Sequence, residues 1–329
     1  MTTGNATEPL ELRQLVGQVI SERYQVDGVI GVGGMGAVFR CRHLGLGLDV
    51  AVKVLHPHIG NDAECGARFA REAHSASRLD HPNCVRVLDF GNFQDDGGRV
   101  AKYLCMELLC GFELARLLDE PLPTGQALAL VRQMLDGLAH AHERGVVHRD
   151  VKPRNVVIVA GSRGEDVVKL VDFGTAKILT GEGAAERMTR QGTVCGTPNY
   201  MSPEQVVGEP IDGRADLYAT GVLLHRMLCG RLPFAAEDPA RVMQMHLLDP
   251  PPPLPRRLPE RLRAFGAQLL AKNRERRHRT AAAARDELDA IIAARPPEPL
   301  EGRERADAST ALHAGTAPST RARRRISIR

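Results

Sequence analysis

His148-Arg149-Asp150-Val151-Lys152-Pro153-Arg154-Asn155 is the stretch on which the reading of this chain turns. It sets an aspartate, a lysine and an asparagine within one short segment that contains a proline. Apolar pieces with the look of short strands flank it, Val146–Val147 before and Val156–Val159 after. Such a string could be a plain polar turn; its neighbours along the chain decide otherwise.

Upstream, Thr124 is placed to cap a helix over Gly125–Arg144, where Leu128, Val131, Leu135 and Leu138 recur at three- and four-residue spacing. Gly145 would close it. Downstream, the strand-like Lys169–Val171 runs into Asp172-Phe173-Gly174, and Asp212–Cys229, Leu258–Ala271 and Ala281–Ala294 read as further helices. The first third has the opposite character. Tyr24–Ile30, Ala37–Arg42, Val50–Leu55, Val85–Phe90 and Val100–Glu107 are β-rich runs, interrupted by one helical stretch, Asp62–Leu79, which Asp80-His81-Pro82 ends. The expected fold is therefore α+β in two lobes. A small antiparallel sheet with one helix occupies 23–108 and a larger, mainly helical lobe occupies 109–295. Residues 1–22 read as a leader with room for a short helix. The Pro-, Gly-, Ala- and Arg-rich segment 296–329 reads as a disordered basic tail.

Two features of the first lobe carry chemistry. Gly31-Val32-Gly33-Gly34-Met35-Gly36-Ala37-Val38 has the GxGxxGxV spacing, and glycines there would let backbone N–H groups close over a polyphosphate. A dinucleotide-binding fingerprint would need a helix directly after the glycines, but Ala37-Val38-Phe39-Arg40 reads as a strand. No Gly-Lys-Ser/Thr occurs anywhere, which excludes a Walker A loop. In Val50-Ala51-Val52-Lys53 a lysine stands inside an apolar strand beside that loop, placed to reach phosphates. Glu72 on the following helix is the expected carboxylate partner; Asp62 and Glu64 lie nearer the helix start, where acidic residues are expected for dipole reasons alone.

Together these segments resemble the signatures of eukaryotic-type (Hanks-type) bacterial serine/threonine protein kinases, in family order over about residues 24–295. The resemblance implies roles. Asp150 would orient the acceptor hydroxyl and take its proton, and Lys152 would mark serine/threonine specificity and neutralise the transferring phosphate. Asn155 and Asp172 would hold Mg²⁺, and ATP would be the phosphate donor. Gly31, Gly33, Gly34, Gly36, Val38, Ala51 and Lys53 would line the nucleotide site. Met106 would be the gatekeeper, Glu107 and Leu109 would bond adenine through their backbone, and Glu113 would reach the ribose. Gly196-Thr197-Pro198-Asn199-Tyr200-Met201-Ser202-Pro203-Glu204 is similar to the family's substrate-facing loop, with Ser202 where the family has alanine. Glu204 would pair with Arg277, and Asp216 would anchor the catalytic-loop backbone.

Thr189 and Thr193, between Asp172 and Glu204, are the expected autophosphorylation sites, with Arg149 resembling the arginine that grips such a phosphate. Self-association for phosphorylation in trans is compatible with this. In the tail, Arg323-Arg324-Arg325-Ile326-Ser327 leaves three readings open: a solvated end, a self-phosphorylated or pseudosubstrate segment, or a contact with anionic lipid.

Composition narrows the class further. The net charge of +4 is modest, and seven Arg against four Asp/Glu in 296–329 put +3 of it in the tail, so the body gives no reason to invoke nucleic acid. Seven scattered cysteines without a CxxC pair fit a reducing cytoplasm better than a disulfide framework. No signal core stands at the N-terminus and no run approaches the ~18–20 apolar residues that span a bilayer. The partners implied are proteins with serine or threonine acceptors. A silent nucleotide-binding scaffold is the alternative, but Lys53, Glu72, Asp150, Asn155 and Asp172 are all of the type the chemistry needs. A small-molecule phosphotransferase would lack the 196–204 loop.

Overall fold

A computed structural model describes residues 12, 14–34, 36–56, 63–94, 100–173 and 198–294. Thr189, Thr193, Gly174, Gly196, Thr197 and the segment 296–329 lie outside the described residues. Residues 1–297 group as one compact unit.

The first lobe is a six-stranded antiparallel sheet. Its strands are β1 (Val19–Ile20), β2 (Tyr24–Gly33), β3 (Gly36–His43), β4 (Leu48–Leu55), β5 (Val87–Gln94) and β6 (Val100–Glu107), in the order β1-β2-β3-β4-β6-β5. Helix α1 (Ala63–Ala76) lies between β4 and β5 in the chain. Strand alternation explains why two cores form. From β4, Ala51 and Leu55 enter one cluster, which continues through Leu104 and Met106 into the helical lobe. Val50, Val52 and Val54 face the other cluster, with Phe39, Tyr103 and Cys105. Lys53 shares the first face, and register sets it opposite Val38 and Leu104.

The sequence expectation needs one correction at the N-terminus. Leu12, Leu15 and Ile20 are buried in the second cluster and β1 pairs with β2, so the segment read as a leader contributes to the lobe. Its mixed polar composition hides three apolar anchors.

The second lobe holds a small sheet, β7 (Gly111–Glu113), β8 (Val156–Ala160) and β9 (Asp166–Leu170), and the helices α2 (Thr124–Glu143), α3 (Pro203–Val207), α4 (Arg214–Cys229), α5 (Pro239–Leu248), α6 (Glu260–Leu269) and α7 (Ala281–Ala293). Ten residues of α2 are buried, among them Leu128, Val131, Leu135 and Leu138, which fits its apolar periodicity. Thr124 is its first residue, however, and Pro123 stands at the cap, where it offers no side-chain acceptor. Val146–Val147 forms no strand. The short elements β7, α3 and α5 go beyond the sequence reading. Among the described residues no helix is long and apolar enough to cross a membrane.

Candidate active site

The glycine-rich segment forms a hairpin in which Gly33 pairs with Gly36. Its glycines serve two purposes. At Gly36 a Cβ would collide with the Val54 carbonyl, and the backbone is at φ +153°, so packing between strands demands glycine there. At Gly31, Gly33 and Gly34 a Cβ would meet no atom of the described residues within 4 Å. Protein packing thus makes no demand for glycine at those three, while bare backbone leaves room for a polyphosphate to approach. Ala51 and Met106 are buried on adjacent strands, with partly buried Val38 and Leu109 packed against the same cluster.

The catalytic-loop string folds as a tight turn ahead of β8. Asp150 Oδ2 meets Lys152 Nζ at 2.7 Å and accepts from Asn155 Nδ2 at 2.9 Å, and the same Nδ2 donates to the Asp150 carbonyl at 2.8 Å. The loop is braced from below. Asp216, 1 % exposed on α4, accepts from the backbone N–H of His148 (2.8 Å) and Arg149 (2.7 Å), and it lies 2.8 Å from His142 Nε2. Burial alone would raise its carboxyl, but His142 and the backbone donors outweigh burial and hold it below the ordinary aspartate range. Arg149 takes φ +65°, a left-handed conformation that costs a non-glycine residue about 1–3 kcal/mol. The two bonds to Asp216 offset that strain. Gln205 Nε2 adds a bond to the Arg149 carbonyl at 2.8 Å.

Lys53 Nζ lies 2.7 Å from Asp172 Oδ1. Loss of water contact would raise the Asp172 carboxyl; Lys53, with His148 and Lys152, reverses this and lowers it. Asp172 also has φ +63°, and the adjacent Phe173 packs its ring 4.6 Å from that of His148. The expected pairing of Lys53 with Glu72 is not what the structure holds. Glu72 Oε1 instead lies 3.6 Å from Arg149 Nη1. A cation on the catalytic loop competes for the same carboxylate, and spacing along α1 cannot reveal that.

Other sequence-predicted residues fall as follows. Arg277 and Glu204 meet fork to fork at 2.7 and 2.9 Å, both buried. Glu107 directs its side chain to Lys169 (2.7 Å) and to the Arg86 N–H (2.8 Å), so its backbone is fixed at the junction of the lobes. Glu113 is exposed on β7. Two residues escaped the sequence reading. His142 is 74 positions from Asp216, beyond any local signal. Gln205 was legible as the end of a Ser-x-x-Gln capping box: Ser202 Oγ accepts from the Gln205 N–H at 3.4 Å and Gln205 Oε1 accepts from the Ser202 N–H at 3.0 Å. Ser202 in place of alanine is therefore a helix cap.

Among the described residues no three His, Cys, Asp or Glu side chains form a metal cage. Asp172 and Asn155 suit instead a hard cation that completes its shell with phosphate and water oxygens. A cavity of about 310 Å³ bordered by His225, Pro252 and Arg263 lies among the C-terminal helices and contains none of these residues.

Comparison with known proteins agrees with this geometry. The protein kinase domain family matches residues 24–288. The serine/threonine-protein kinase pkn3 of Myxococcus xanthus is 41% identical over 285 residues, covering 84% of this chain and 51% of that protein. The serine/threonine-protein kinase PknB of Mycobacterium leprae is 36% identical over 301 residues, 90% of this chain and 47% of its own length. The chain thus spans about half the length of these curated relatives. The crystal structure of the Mycobacterium tuberculosis PknI kinase domain superposes with a TM-score of 0.64 at 29% identity, covering 84% of this chain and 97% of that one.

Proposed function

The chain belongs to the protein kinase domain family, and on that premise we propose that it transfers the γ-phosphate of ATP to serine and threonine hydroxyls of proteins. The acceptor oxygen bonds to the γ-phosphorus as the bond to the bridging oxygen breaks and ADP leaves. Asp150 orients the hydroxyl and takes its proton. Its Oδ2 is held by Lys152 and Asn155, and Oδ1 makes no hydrogen bond among the described residues, which leaves it for the acceptor. Lys152, on the same loop, neutralises charge on the transferring group. Lys53 grips the nucleotide phosphates, the bare glycine hairpin covers them, and the Glu107 and Leu109 backbone holds adenine. Asn155 and Asp172 hold Mg²⁺, which when bound supplies the charge stabilisation phosphates need.

The observation that carries this reading is that β4, the catalytic loop and the segment after β9 supply Lys53, Asp150, Lys152, Asn155 and Asp172, with contacts of 2.7–2.9 Å within Lys53–Asp172 and within Asp150–Lys152–Asn155. Every position is of the type that phosphoryl transfer requires, and the reaction asks the protein chiefly for positioning and charge. That weighs against a silent scaffold. Activation proceeds by phosphorylation of Thr189 or Thr193, in trans between two copies, in the cytoplasm where ATP is available.

The test is incubation with labelled ATP, Mg²⁺ and a peptide library. Label on serine or threonine that falls about 10²–10⁴-fold in Asp150→Asn is the expected result. No transfer, or transfer that survives the substitution, overturns the proposal.

A further inference from the structure

Behind the loop Pro198–Tyr200 lies a buried polar cluster that the phosphoryl-transfer chemistry does not use. Lys272, just past α6, is its centre. Its Nζ donates to the carbonyls of Met245 (2.9 Å) and His246 (2.8 Å), two of the last carbonyls of α5, and sits 4.0 Å from the centre of the Phe234 ring. A cation there satisfies the His246 carbonyl, which Pro250 cannot reach with an N–H, and adds to the Asp249 N–H bond at the Met245 carbonyl, facing the negative end of the helix dipole. His246, fully buried, sets Nδ1 2.9 Å from the Tyr218 hydroxyl and packs edge-on against Phe234 at 5.0 Å. The backbone of Asn199 stands against the same ring, while Nε2 has no partner within hydrogen-bond geometry.

The cluster joins two things the site depends on. On one side Tyr200 and Met245 pack against Tyr218, Phe234 and Leu270, and Arg226 Nη1 donates to the Tyr200 hydroxyl at 2.7 Å. On the other, Arg277 stacks 4.8 Å from the Tyr218 ring and takes the Lys272 carbonyl at 3.1 Å while it grips Glu204. A half-buried cation and a buried imidazole nitrogen without a hydrogen-bond partner among the described residues are costly to keep unless they position something. Burial lowers Lys272 to about 8 and His246 to about 4.

We propose that Lys272 and His246 are positioning residues for the acceptor peptide: they fix the C-terminal end of α5 against Pro198–Tyr200, part of the loop that the kinase reading makes substrate-facing. The inference rests on the kinase reading above. Neither residue touches the nucleotide or the reacting atoms, so its signature is a change in peptide recognition with ATP handling left alone.

The test compares the unaltered chain with Lys272→Met, Lys272→Arg and His246→Leu, measuring KM for an acceptor peptide and for ATP together with melting temperature. The expected result is a peptide KM raised about tenfold in Lys272→Met and His246→Leu, an ATP KM within about twofold, and most of the loss recovered in Lys272→Arg. Equal changes in both KM values, or a lower melting temperature with the peptide KM unmoved, overturn it. Should Lys272→Met not fold, His246→Leu carries the same test. If the unaltered chain phosphorylates no peptide, the kinase reading falls and takes this inference with it. If it does so and the variants match it, only the inference falls.

Discussion

Glu72 lies 3.6 Å from the Arg149 guanidinium, and the lysine it was expected to meet, Lys53, is bound to Asp172 at 2.7 Å instead. Each cation thus has its own carboxylate here, Glu72 for Arg149 and Asp172 for Lys53. A phosphate on Thr189 or Thr193 would bring about −1.5 to −2 charge. It would draw Arg149 away and release Glu72 to orient Lys53.

The first prediction follows from that exchange. Thr189→Ala/Thr193→Ala and Arg149→Lys should each lower kcat/KM for peptide by about tenfold or more, because either change removes the same event. Combined, they should cost little more than either alone, as members of one chain of interactions do. Steady-state kinetics on the single and combined variants decide it, and full additivity would refute the exchange.

How much of this was legible beforehand depends on the range of the interaction. The strands announced themselves through β-branched runs, and the roles proposed for Lys53, Asp150, Asn155 and Asp172 through local strings and the family resemblance they carry. Glu72 as partner of Lys53 was an inference across two elements, and it failed because the seating of α1 against the catalytic loop is a tertiary fact. His142, bonded to Asp216, was hidden for the same reason. Ser202 was readable, since the capping box is a local pattern, but comparison with alanine at that position disguised it. The N-terminal strap was missed because Leu12, Leu15, Val16, Val19 and Ile20 fit a helical spacing, whereas Val19 and Ile20 pair with β2 as a strand.

Asp216 governs the second prediction. Its carboxyl is lower when folded than the ordinary value of 3.8, so its stabilisation is complete above that value and is lost as pH falls through the folded-state value. Asp216→Asn should therefore flatten stability against pH below about 4. At neutral pH it should cost about 3–5 kcal/mol, since it weakens the hold on two backbone donors and removes the partner of His142. Urea unfolding between acid and neutral pH measures both effects. A variant with an unchanged acid limb would show that another group sets it.

Glu204 and Arg277 support a third. Both side chains are almost wholly out of water, 4 % and 0 % exposed. Removing one partner strands a buried charge, at a cost of about 3–5 kcal/mol. Glu204→Gln and Arg277→Met should each show this in thermal unfolding. The double variant should cost distinctly less than their sum. Arg277→Lys should not rescue, because one ammonium cannot reproduce two parallel bonds.

The glycine hairpin separates fold from ligand, and the last prediction uses that division. Gly36→Ala forces a Cβ into the Val54 carbonyl at a φ that side chains avoid, so it should lower the melting temperature whether or not nucleotide is present. Gly33→Ala and Gly34→Ala meet open space on the protein side and should leave the melting temperature nearly unmoved. What they should change is the approach of the polyphosphate, with KM for ATP rising about fivefold or more. Differential scanning fluorimetry with and without Mg-ATP reads both quantities at once. If Gly33→Ala destabilised the unliganded protein as much as Gly36→Ala, the glycines of this loop would be serving the sheet alone.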